Sequence, residues 1–280
     1  MKTNFVQQIE DYSSSIKEFP NWDDFFGTKS FDKEICIILI CCKSDIDLGV
    51  EKRKRWLKNL KESKINNVEI LLVLGKKQLN IEGSMYNYND GILEINCNDY
   101  YEGLPEKILA SLFYCLNRTT SKIIFKFDVN LEVINWKNFQ TTYKKLLYSD
   151  CDLYGFIRDI QFGITRDWHF GKCNDKKLNS KYYDRSIKQW PDGGRGYALN
   201  RQGIINIFSH ILDKKNKFHL GNYIYEDVMV GEILELSNSK FMFIDFMTDF
   251  LFDPDQSLNT IVQKETSRLE KFFNIFRLSR

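Results

Sequence analysis

The chain has 280 residues, 43% of them hydrophobic and 28% charged, a balance that excludes a disordered tail or a fibrous repeat and leaves a globular protein able to bury a sizeable core. Forty Lys and Arg stand against 38 Asp and Glu, a formal charge of +2, which argues against a partner of nucleic acid but leaves room for a local basic patch on one phosphorylated ligand. Seven Cys, with Cys41 and Cys42 adjacent and no repeated C-x-x-C spacing, read as reduced thiols rather than as a disulfide framework or a structural zinc site.

In chain order, Phe5, Ile9, Tyr12 and Ile16 recur at helical spacing before Pro20, so residues 1–30 are expected to form an accessory helix on the main body. The longest apolar run, residues 35–42, is far below the ~20 residues that cross a bilayer. With no apolar run before Pro20, the expectation is a cytoplasmic protein without a transmembrane segment. Residues 35–41 and 68–74 are apolar, β-rich runs that read as interior parallel strands, with a basic helix over 50–63 between them whose Trp56, Leu57 and Leu60 face inward.

That β-α-β pattern repeats with a strand at 92–95, a helix over 104–116 and a strand at 122–127. Strands alternating with helices predict an α/β fold with a central, mostly parallel sheet flanked by helices, whose ligand lies at the carboxyl ends of the strands. Further along, the patterns predict a helix over 136–148, a strand at 152–157, a polar, aromatic-rich functional loop over 158–190, helices over 201–212 and 227–236, a strand at 241–246 and an amphipathic segment ending in Leu269, Phe272, Phe273, Phe276 and Leu278. No linker interrupts this, so 31–280 reads as one domain with two halves, 31–135 and 136–280.

Four segments carry candidate chemistry. Asp128-Val129-Asn130 ends a buried-looking strand, where a carboxylate can ligate a divalent cation or merely form a turn. Glu226-Asp227 opens a helix, where a carboxylate can serve as a general base or only as a cap. Trp190-Pro-Asp-Gly-Gly-Arg-Gly-Tyr197 places three glycines in four positions, so the backbone can approach a ligand closely, and Trp190 and Tyr197 are either a platform for a sugar ring or core. Lys52-Arg-Lys-Arg55 opens the first helix, facing an anion at the sheet edge or simply solvent. His169, His210 and His219 have no metal-ligand spacing.

The order of these pieces resembles glycosyltransferase family 31, the beta-1,3-galactosyltransferase and fringe-like enzymes, over about residues 35–252. Arg53 and Trp56 match the family's R-x-x-W, Glu69 to Gly75 its second strand, and Asp99-Tyr100 with Leu104 and Lys107 the region after it. Lys126-Phe-Asp128-Val-Asn130 falls on K-x-D-D-D, Pro191 to Leu199 on the glycine-rich segment ending G-Y-x-x-S, and Glu226-Asp227-Val228 with Gly231 on E-D-V-x-x-G. The acidic triplet is reduced to one Asp, Asn200 replaces the usual Ser, and no His follows His219, so metal binding is expected to be weaker, differently ligated or absent.

The resemblance implies a single-domain GT-A glycosyltransferase fold, with 31–135 as the nucleotide-sugar half and 136–280 as the acceptor half. It implies inverting transfer of a hexose or N-acetylhexosamine, galactose favoured, from a UDP-sugar to a hydroxyl of a glycan or glycoconjugate, in a beta-1,3 linkage. Asp227 would be the base. Arg53, Lys126, Asp128, Gly194, Gly196 and Tyr197 would hold the nucleotide-sugar, Trp190 and Glu226 the acceptor, and Asp128 and Asn130 a manganese ion or another divalent cation. The reading from another class is a catalytically degenerate relative that binds a glycan or acts as a chaperone.

Overall fold

The computed structural model describes residues 32–76, 86–159, 171–179 and 188–254. The expected accessory helix over 1–30 and the segment ending in Leu269–Leu278 lie outside these residues, as does part of the 158–190 stretch.

Strand β1 (Ile35–Ile40) leads through a 3-10 turn at Lys43–Asp45 into helix α1 (Ile46–Glu62), and β2 (Val68–Gly75) follows. The turn explains why the helix begins four residues earlier than its apolar spacing suggests. A hairpin of β3 (Tyr86–Asn89) and β4 (Ile92–Ile95) comes next, then α2 (Leu104–Arg118) and β5 (Ile123–Asp128). The hairpin turns on Asp90 and Gly91, both at positive φ (44° and 77°), the backbone that an Asp-Gly turn of the type I′ class adopts.

The short strand β6 (Glu132–Val133) precedes α3 (Trp136–Leu147), capped by the Asn135 side chain on the amide of Asn138. The single strand expected at 152–157 is two, β7 (Leu153–Gly155) and β8 (Ile157–Asp159), which join different sheets. After β9 (Gln189–Pro191), the glycine cluster forms a 3-10 turn and delivers β10 (Tyr197–Asn200). The chain continues through α4 (Arg201–Leu212), α5 (Glu226–Leu236), β11 (Phe241–Phe243), the single-turn α6 (Phe246–Asp249) and β12 (Leu251–Phe252).

Eight strands form one sheet in the order β11-β7-β10-β5-β1-β2-β4-β3. The central ladder is parallel: β1 pairs with β2 and with β5, and β2 with β4. Strand β10 inserts antiparallel between β5 and β7, so the second half returns into the sheet instead of forming its own. This is the mixed, mainly parallel α/β sheet with flanking helices that the alternating pattern predicts.

Every residue of β1 is buried, and the alternation of side chains divides the strand between two cores. Ile35, Ile37 and Leu39 join Trp56 of α1, Phe139 of α3 and Phe246 of α6 on one face. Cys36, Ile38 and Ile40 join Leu112 of α2, Ile207 of α4 and Val230 of α5 on the other. A strand wrapped on both faces must be apolar throughout, which is why these runs were conspicuous. No helix among the described residues is long and apolar enough to cross a membrane.

Candidate active site

The carboxyl ends of β1, β2 and β5 open onto a cavity of about 870 Å³. Its wall comprises residues 40–45 after β1, Gly75 and Lys76 at the end of β2, residues 98–101 with Leu104 and Lys107 from the start of α2, and Asp128, Val129 and Asn130 after β5. Parallel strands create such a crevice because their connections leave the ends uncovered where neighbouring crossovers diverge. Asp128 and Asn130 are therefore at the sheet edge that the sequence indicates.

Asp99 braces this wall. It accepts the amide of Gly75 (2.7 Å), the amide of Lys43 (2.6 Å) and the ammonium of Lys107 (2.6 Å). Lys107, fully buried, also donates to the Cys41 carbonyl at 2.9 Å. One carboxylate thus ties the ends of β1 and β2 to α2.

A second cluster, which reaches the cavity wall through Asp128, is built on Lys126 of β5. Its ammonium lies 2.8 Å from Asp128 Oδ1 and 2.9 Å from Glu226 Oε1 and donates to the Gly193 carbonyl at 3.0 Å. Glu226 Oε2 accepts the Tyr197 hydroxyl at 2.9 Å. Asp227 Oδ2 accepts the amide of Gly193 at 3.1 Å, and Oδ1 that of Val228 at 2.8 Å. Burial raises Asp227 to about 7, and the neighbouring Glu226 carboxylate adds to the rise against the lowering hydrogen bond from Gly193 and the charge of Lys126. At neutral pH this carboxyl divides between its two protonation states, the condition in which a group gives and takes protons readily.

The glycines serve this packing. A Cβ on Gly193 would meet Glu226 Oε1 at 2.7 Å, and one on Gly196, at φ +73°, would meet the Phe127 ring at 2.6 Å. Gly194 closes the turn by donating its amide to Asp192 Oδ1 at 3.1 Å. These positions let the turn lie directly against β5 and the start of α5, bringing Lys126, Glu226 and Asp227 together.

Several sequence expectations are corrected by position. Arg53 is seven residues into α1, about 10 Å below its start at the usual helical rise, and donates to the Ile70 carbonyl at 2.8 Å with Glu69 beside it. It braces β2 and is not on the cavity wall. Lys52 and Arg55 pair with Glu132, so three of the four basic residues at 52–55 are in ion pairs within the protein, well inside the helix rather than at its start. Trp190 is buried with Ile224, Tyr225 and Val228, and a Cβ on Gly231 would strike it at 2.5 Å; it is core, not a sugar platform. Tyr197 is fully buried with its hydroxyl on Glu226, and Tyr197, Glu226 and Asp227 all lie outside the cavity wall.

Two wall residues were missed. Lys43, exposed in the turn after β1, lines the cavity and stands where the sequence placed Arg53. Tyr101 also lines it, and its phenol is raised by burial first and then by the charges of Asp227, Glu226, Tyr225 and Asp128. A basic residue in the loop after the first strand was the available signal for Lys43; nothing local marked Tyr101.

For a divalent cation, Asp128 offers one charged oxygen beyond the one on Lys126. Asn130 directs its amide nitrogen to Asp253 Oδ1 at 3.3 Å, which leaves its carbonyl oxygen as a donor. No group of three or more His, Cys, Asp or Glu able to hold a metal occurs among the described residues. The donors present fit magnesium or manganese, hard ions that keep several waters and take one or two carboxylates with substrate phosphates, and they do not form an all-protein cage.

No protein-family model and no curated protein matches the sequence. Among solved structures, the chain is similar to a galactosyltransferase, LgtC, in complex with donor and acceptor sugar analogs, at 11% identity and TM-score 0.41, covering 75% of this chain and 73% of that one. It is similar to a putative glucose-1-phosphate thymidylyltransferase from Bacillus anthracis at 11% identity and TM-score 0.41, covering 80% of this chain and 89% of that one. A 4-diphosphocytidyl-2C-methyl-D-erythritol synthase from Anaerococcus prevotii matches at 14% identity and TM-score 0.39, over 76% of this chain and 86% of that one.

Proposed function

We propose that this chain is an inverting glycosyltransferase of the GT-A type that moves a hexose or N-acetylhexosamine, galactose favoured, from a UDP-sugar to a hydroxyl of a glycan or glycoconjugate in a beta-1,3 linkage. The observation that carries this reading is the joining, through Lys126, of the Asp128 turn on a strand-end cavity to Glu226 at the start of α5, next to the buried carboxyl of Asp227. Lys43 takes the phosphate role first given to Arg53, and Asp128 and Asn130 would hold a divalent cation. Such a cation would supply positive charge for the leaving phosphates. Asp227 takes the proton of the acceptor hydroxyl as its oxygen bonds to the anomeric carbon, while the bond to the diphosphate breaks and its electron pair leaves with UDP. Glu226 positions that helix start, and Gly194 and Gly196 shape the turn beneath it.

The test is a screen of UDP-sugars for thermal stabilisation, hydrolysis and transfer, with and without manganese. Asp227→Asn is expected to keep UDP affinity near wild type and to lower turnover by roughly 10²–10⁴-fold, the usual worth of a general base. Turnover within a few-fold of wild type would remove Asp227 from that role. The second reading, a degenerate glycan binder, is favoured by the single carboxylate at the Asp128 turn being already paired to Lys126; glycan binding without turnover for any UDP-sugar would select it.

A further inference from the structure

Lys126 has a side chain only 3% exposed, and an ammonium has three N–H donors. All three have acceptors at bonding distance: Asp128 Oδ1, Glu226 Oε1 and the Gly193 carbonyl. A ligand finds no free donor there, so this lysine does not itself grip a nucleotide. The residues it joins differ in access. Glu226 is 6% exposed and its other oxygen is held by Tyr197, whereas Asp128 is 35% exposed and on the cavity wall.

A divalent cation arriving at Asp128 therefore meets a carboxylate whose charge is already answered by a fixed, buried positive group. That group cannot move away cheaply, because it is also bound to a second carboxylate and to the glycine turn.

We propose that Lys126 is a positioning residue that acts as a built-in cation: it pins the Asp128 turn to the start of α5 and competes with a divalent metal for Asp128, setting metal affinity below what the oxygen donors alone would give. The proposal rests on the reading that Asp128 faces a cation. It adds that the loose metal dependence expected from Asn130 has a second cause inside the sheet.

Calorimetric titration of manganese alone into the full chain tests it without any sugar donor. Lys126→Met, similar in length and uncharged, is expected to bind manganese at least tenfold more tightly than wild type, and the gain is expected to vanish in Lys126→Met/Asp128→Asn. A purely structural lysine predicts the opposite, a loosened turn and weaker binding. Because Lys126→Met leaves Glu226 buried without its cation, a second comparison sets Glu226→Gln against Glu226→Gln/Lys126→Met, where the same tenfold gain is expected with the buried charge removed. Equal or weaker binding in the folded lysine variants, or no manganese binding by any of them, overturns the proposal. Absence of UDP binding by wild type, measured separately, would sink the nucleotide-sugar reading while leaving the manganese comparison standing.

Discussion

Two lysine–aspartate pairs each put a carboxylate on the cavity wall, built from the same residue types and used differently. Lys107 and Asp99 are spent on holding the fold: the carboxylate is divided among two backbone amides and the ammonium, and the ammonium also holds the Cys41 carbonyl. Lys126 and Asp128 leave one carboxylate oxygen without a bond from any described residue, on a side chain one-third exposed. The identity of an ion pair says little about its role; what remains unsatisfied after folding separates a brace from a site.

The difference is sharpest in stability. Lys107→Met removes one partner of a buried pair and orphans the strand ends, and is expected to cost about 3–5 kcal/mol. Asp128→Asn, at a part-exposed site where Lys126 keeps Glu226, is expected to cost no more than about 2 kcal/mol while abolishing manganese binding. Urea denaturation of both variants checks this; equal losses would erase the distinction between brace and site.

A smaller effect comes from Asp227 through pH. Its folded value of about 7 lies above the ordinary 3.8, so between these values the folded state holds a proton that the unfolded chain has released. Stability from this group is fully present below pH about 4 and is lost as pH rises toward 7. Asp227→Asn should therefore be more stable than wild type at pH 8 by about 2 kcal/mol, since one of the two amide hydrogen bonds is lost in exchange. By pH 4 the order should reverse, since both states then hold the proton and only the lost hydrogen bond remains, leaving Asp227→Asn the less stable by about 2 kcal/mol. Melting curves across pH 4–8 that run parallel for the two proteins would show that Asp227 is not held protonated.

The smallest expected change is at Asn130. Replacing its amide with a carboxylate in Asn130→Asp adds a charge beside the cation position but also faces Asp253, whose Oδ1 now accepts from the Asn130 amide. The repulsion offsets part of the attraction, leaving manganese binding about tenfold tighter. Binding no tighter than wild type would show that Asn130 lies off the metal shell.

The parts of the fold legible in the sequence are those where one local pattern suffices. Strands β1, β2 and β5 are apolar on both faces because helices cover both, and α4 begins where Asn200 can cap the amide of Gly203. Strand β10 was hidden, since four residues after a glycine turn carry no period, and so was β3, although Asp90-Gly91 was a readable hairpin signal. The split of β7 from β8 depends on which sheet each half joins, which no local pattern contains.

The site divides in the same way. Asp128 and Asn130 at a strand end, and Asp227 at a helix start, follow from sequence alone, because strand and helix ends are set within a few residues. Whether a charge is spent or free is decided by partners distant in the chain. Arg53 is spent on β2, Lys126 joins β5 to α5, and Lys43 stands at the cavity with its backbone held by Asp99. Electrostatics depends on distance in space and on burial, and neither exists until the sheet has closed around those side chains.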